Sequence, residues 1–124
     1  MTPRVLKQGD YLIVSLPDSL TDSGWRGLRD LLMEQVGKHR SQGAVIDVSG
    51  MEVMDSYSTR LLEGIARMLS LRGAACVVVG ISPGVAFAMT RLGLRLSAAD
   101  TALDLDDGLE LLSRRVREKR PYVR

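Results

Sequence analysis

Two short apolar runs, Ala44-Val-Ile-Asp-Val48 and Ala74-Ala-Cys-Val-Val-Val79, constrain the fold of this chain more than any other feature. Each is rich in β-branched residues, about one strand long, and without the regular polar alternation of a strand that keeps one face in water. Strands of that kind belong in the interior of a parallel sheet covered on both sides. Between them Leu61, Leu62, Ile65, Met68 and Leu69 recur at helical spacing, and Gly73 closes the helix. Parallel neighbours need a crossover connection, so strand–helix–strand here means an α/β fold.

The remaining segments extend that unit in both directions. Arg4-Val-Leu-Lys-Gln8 and Tyr11-Leu-Ile-Val-Ser-Leu16 flank Gly9-Asp10, a pair that tolerates positive φ and predicts an antiparallel hairpin. Thr21 or Asp22 caps a helix with Trp25, Leu28, Leu31, Leu32 and Val36 on one stripe. Ser82-Pro83 opens a third helix, Ser as cap and Pro in the first turn, with Val85, Phe87, Ala88 and Leu92 expected inward and Gly93 as the stop. Leu94-Arg-Leu96 reads as a short edge strand. Asp106 or Asp107 then starts a last helix carrying Leu109, Leu111, Leu112 and Val116. The expected architecture is one domain over residues 1–124. It has a mixed central sheet with parallel core strands, an N-terminal hairpin and about four helices, and residues 116–124 form a flexible basic tail.

Charge narrows the range of partners. The net charge of +2 conceals an asymmetry: Arg114, Arg115, Arg117, Lys119, Arg120 and Arg124 face only Glu118, a local +5 that leaves −3 on residues 1–113. The body is mildly acidic, so no specific nucleic-acid face is expected on it. No apolar stretch reaches membrane-spanning length, which argues against an integral membrane protein. The start of the chain lacks a secretory apolar core, and the single Cys76 cannot form an internal disulfide. Both fit a cytoplasmic protein.

The residues that stand out chemically are Asp55-Ser56-Tyr57-Ser58-Thr59, where the first buried strand hands over to a helix. Asp55 is a natural N-cap, and a hydroxyl on Ser56 would sit near the positive end of the helix dipole, where a phosphate is tolerated. Gly80-Ile-Ser-Pro-Gly84 follows the second buried strand in the same way. If the two strands are neighbours, Ser82, Pro83 and Gly84 share the carboxyl edge of the sheet with Asp55, Tyr57 and Ser58, as a partner-binding surface. Ser58 and Thr59 are secondary candidates for phosphorylation.

Catalysis finds little support in the residues. His39 is the only histidine and lies in a charged helix end, Lys38-His39-Arg40; Cys76 sits inside a core strand. No Cys/His spacing suits a metal, and neither Gly80-x-x-x-Gly84 nor Gly24-x-x-Gly27 is a nucleotide loop. Asp47 and Asp55 could form a carboxylate pair, but one reads as a strand residue and the other as a cap. No catalytic residue, metal or cofactor is assigned.

The segment Val45-Ile-Asp-Val-Ser-Gly-Met-Glu-Val-Met-Asp-Ser56 resembles the signature of STAS domains, the sulfate-transporter and anti-sigma-factor-antagonist family. Val78-Val-Gly-Ile-Ser-Pro-Gly-Val-Ala86, Leu92-Gly-Leu94 and Thr101-Ala-Leu-Asp-Leu-Asp-Asp-Gly-Leu-Glu110 carry the resemblance along the chain. It implies a STAS (SpoIIAA-like) fold, with the phosphorylated serine falling on Ser56. Many antagonists of anti-sigma kinases carry Asp-Ser-Ser-Gly-Leu here, whereas this chain has Asp55-Ser-Tyr-Ser-Thr-Arg60. That departure favours the RsbS-type branch, the small scaffold subunit of the bacterial stressosome. The implied partners are a paralogous STAS co-antagonist with an N-terminal sensor domain, a switch serine/threonine kinase and a serine phosphatase. They would meet in a large hetero-oligomeric complex with self-association. The alternative is a stand-alone anti-sigma factor antagonist that binds its kinase when unphosphorylated.

Overall fold

The computed structural model describes residues 2–119. Strands β1 (Arg4–Gln8) and β2 (Tyr11–Ser15) form the antiparallel hairpin, turning at Gly9 and Asp10 with Gly9 at φ 60°. Helix α1 (Asp22–His39) leads to β3 (Gly43–Asp47), α2 (Ser56–Leu71) to β4 (Ala75–Val79), and α3 (Pro83–Leu92) to β5 (Asp100–Ala102). Helix α4 (Leu105–Lys119) follows. The five strands lie side by side in sequence order, and every pairing after β1–β2 is parallel.

Strand order dictates the layering. Right-handed crossovers between successive parallel neighbours put α1, α2 and α3 on the same face of the sheet. There Leu12, Val14, Ala44, Ile46, Cys76 and Val78 meet Trp25, Leu28, Leu32, Leu62, Ile65, Leu69 and Met89. The opposite face is covered by α4, whose Leu112 and Val116 pack on Val45, Ala75, Val77 and Val79. At Gly108 α4 approaches so closely that a Cβ would overlap Val79 Cγ1. With a layer on each side, β3 and β4 are buried along nearly their whole length, as their apolar sequences require.

Four expectations need correction. Leu94–Leu96 is not a strand: Gly93 takes a left-handed conformation (φ 70°), and the Leu94 N–H turns back to Met89 O at 2.9 Å. The edge strand is Asp100–Ala102 instead. The last helix is capped by Asp104, whose Oδ1 accepts from the Asp107 N–H at 2.9 Å, so Asp106 and Asp107 occupy its first turn. Helix α4 runs to Lys119 with Val116 buried, so residues 116–119 continue the domain; the rest of the expected tail, 120–124, lies outside the described residues. On α3, Met89 is the buried residue, Val85 is half-buried, and Phe87, Ala88 and Leu92 face solvent. Val85 and Phe87 are 200° apart around a helix and cannot both face the sheet.

Candidate functional site

Residues 48–55 join β3 to α2, and this connection is held at several points. Asp47 Oδ1 accepts from Ser49 N at 2.9 Å, and the Val48 N–H reaches across to Val79 O at 2.9 Å. Met51 and Met54 are buried and anchor the connection from beneath. The next connection starts at Gly80, with φ at 83°. A side chain there would be strained, and its Cβ would come within 2.8 Å of Asp47 Oδ1 and of Ser49 Cβ. That glycine lets the two loops lie against each other.

Both helices then start in the expected manner. Asp55 accepts from the Ser58 N–H at 2.8 Å, which is the first reason its carboxyl is held below the usual range. Ser56 is the first residue of α2 and is exposed, its hydroxyl outside the cap that Asp55 provides. Ser82 caps α3 by accepting from Val85 N at 3.2 Å, and Pro83 occupies the first turn. Asp55, Ser82 and Gly84 line one hollow of about 320 Å³ together with Val53, Val85 and Leu92. The sequence reading thus placed two helix starts on one edge, and the structure joins them.

Two cluster members point elsewhere. Tyr57 faces α1, where its hydroxyl donates to Asp22 Oδ1 at 2.6 Å; that bond to a carboxylate raises the phenol pKa. Thr59 is only 3% exposed, and its Oγ1 has no hydrogen-bond partner among the described residues. Ser58 is half-buried beside the Asp55 carboxylate. Ser56 is therefore the hydroxyl of the three that solvent reaches most freely.

The residues considered for catalysis are not assembled into a centre. Cys76 is buried in β4, and burial pushes its thiol up to about 12. His39 ends α1, and the Asp47 carboxylate is engaged by the Ser49 amide. Among the described residues no three His, Cys, Asp or Glu side chains could share a metal ion, and no helix is long and apolar enough to cross a membrane.

The model of the STAS domain family matches residues 2–107. The chain belongs to the STAS family. Within it, the chain is similar to a serine-to-glutamate variant of RsbS from Moorella thermoacetica. The identity is 36%, the match covers 93% of this chain and 97% of that one, and the TM-score is 0.78. A chain from a structure of the stressosome, described as a signal integration and transduction hub, is 37% identical, with 92% and 99% covered and a TM-score of 0.77. The RsbT co-antagonist protein RsbRA of Bacillus subtilis (strain 168) is 34% identical over 79 residues, 64% of this chain. The match spans only 29% of that relative's length. The STAS fold and the likeness to RsbS and stressosome proteins agree with the reading from Asp55-Ser56 and its flanking strands.

Sequence reasoning missed a second surface. Trp25, Arg26 and Arg29 of α1 and Tyr57, Arg60, Leu61, Gly64, Ile65 and Met68 of α2 border a groove of about 270 Å³, with Asp22 at one end. The signal was present as arginines beside the Trp25 stripe and an arginine one turn after Ser56. Nothing in the sequence said that these two helices would be adjacent.

Proposed function

We propose that this chain is an antagonist and scaffold subunit of a stressosome-type assembly, in which the unmodified surface around Ser56 holds a switch serine/threonine kinase. Phosphorylation of Ser56 releases the kinase, a serine phosphatase resets the site, and a paralogous STAS co-antagonist with a sensor domain shares the assembly. The observation that carries this reading is the placement of Ser56. It is exposed at the first position of α2, and the helix start is already capped by Asp55. A phosphate there does not have to break the cap. The burial of Thr59 and partial burial of Ser58 favour Ser56 over both. Similarity to RsbS and to a stressosome chain over more than nine-tenths of this chain supports the class of assembly.

The energetics suit a release switch. A phosphoserine adds about −1.5 to −2 charges next to Asp55. The α2 dipole returns about 0.3–1 kcal/mol, so the domain stays folded. A partner surface shaped for a neutral hydroxyl meets a dianion, and a loss of about 2.7 kcal/mol already weakens binding about a hundredfold. Ser56→Ala is expected to bind the kinase and to resist release by ATP; Ser56→Asp is expected to bind weakly. Pull-down of the kinase with and without ATP reads both, and parent-like behaviour of both variants would place the switch elsewhere.

A further inference from the structure

The groove between α1 and α2 combines an apolar floor with an unusual share of positive charge. Trp25 and Ile65 are buried beneath it, and Leu61 and Met68 are half-buried along it. Arg26, Arg29 and Arg60 border it, against the single carboxylate of Asp22, which Tyr57 already engages. Arg29 pairs with the exposed Asp30, while Arg26 and Arg60 make no ion pair among the described residues. Residues 1–113 carry a net −3, so a cationic rim here runs against the charge of the body. An apolar floor between unpaired cations is complementary to a chain segment that offers an apolar side chain flanked by carboxylates, and it disfavours a basic one.

We propose that this groove docks an acidic amphipathic segment of a partner protein, and that Arg60 makes the docking sensitive to phosphorylation of Ser56. Arg60 lies four residues after Ser56 on α2, on the same side of the helix. Helical side chains lean toward the N-terminus, so the guanidinium can serve either the groove mouth or a phosphate on Ser56. A phosphoserine recruits Arg60 through charge-assisted hydrogen bonds and withdraws it from the rim. The second half of the proposal rests on the reading of Ser56 given above; the first half does not.

The test is an NMR titration of the isotope-labelled chain with two designed helical peptides, both with a leucine stripe, one flanked by glutamates and the other by lysines. The glutamate peptide is expected to give saturable shifts at the Trp25 indole and the Arg60 side chain, and to bind at least about tenfold more tightly than the lysine peptide. The double variant Arg26→Glu/Arg60→Glu, verified as folded by circular dichroism, should reverse the preference. Absent shifts, shifts centred on α3, or no discrimination by charge would overturn the docking site. Phosphoserine installed at position 56 by genetic encoding should weaken the glutamate peptide about tenfold; an unchanged affinity would overturn the role of Arg60. No kinase is needed for this arm. Failure of a switch kinase to modify Ser56 would therefore count against the proposed function and leave the docking site standing.

Discussion

Thr59 illustrates how much one hydroxyl's setting matters. Its backbone belongs to the first turn of α2, where its N–H donates to Asp55 O at 3.0 Å, yet its side chain is buried with Oγ1 unpartnered among the described residues. A buried hydroxyl without a partner costs about 1–3 kcal/mol. Thr59→Val keeps the shape and removes the stranded group, so we expect stability to rise by about 1 kcal/mol in urea denaturation, with the Ser56 surface intact. Ser56, three residues earlier, is on the open side of the same turn. The two hydroxyls belong to one short cluster of the sequence and are opposite in accessibility.

Among the helices, α3 is the one whose apolar residues are least used. Phe87 and Leu92 are 65% and 61% exposed, and Phe87 stacks on Arg91 at 5.7 Å, while Met89 reaches the core. Met89→Ala should therefore cost about 2–3 kcal/mol, through lost burial and the cavity left behind. Phe87→Ala should cost no more than about 1 kcal/mol, since an exposed cation–π pair is weak. Thermal or urea unfolding of the two variants checks the ranking; an equal loss would mean that α3 packs through Phe87. Helix α4 shows the reverse logic. Its Gly108 is a poor helix former, kept where the helix must touch Val79.

The molecule is also tied together by a polar pin distant in sequence. Glu63 of α2 accepts from Ser97 Oγ at 2.6 Å and from the Ala98 N–H at 3.0 Å, and pairs with Arg67 at 2.9 Å. It thereby fixes the connection between α3 and β5. Burial would raise its pKa, but the bonds from Ser97, Ala98 and Arg67 outweigh burial and hold the carboxyl below its ordinary 4.5. A carboxyl more acidic folded than unfolded stabilises above the unfolded pKa, and that contribution disappears as pH falls through the folded one. Glu63→Gln should thus lose about 1–2 kcal/mol near neutral pH, with the gap to the parent closing as pH drops below about 4.5. Urea midpoints measured across that range decide it; a gap that persists at low pH would mean that Glu63 contributes through packing rather than charge.

What the sequence determined alone was the order of elements and the chemistry of their starts. Apolar β-branched runs, helical stripes and capping residues are local signals, so the β3 and β4 strands, the hairpin, the Asp55 and Ser82 caps and the exposed start of α2 at Ser56 were all legible. Everything that depended on which surfaces would face each other was decided by the tertiary structure. Leu94–Leu96 failed as a strand because the α3 turn consumed the Leu94 N–H, and the Phe87 side chain stayed in solvent because Met89 took the core position. The hollow shared by Asp55 and Ser82, the Tyr57–Asp22 bond and the arginine-rimmed groove join residues remote in sequence. Such contacts follow from strand order and crossover hand, and a one-dimensional pattern of burial and charge encodes neither the neighbours of a helix nor the side on which it lands.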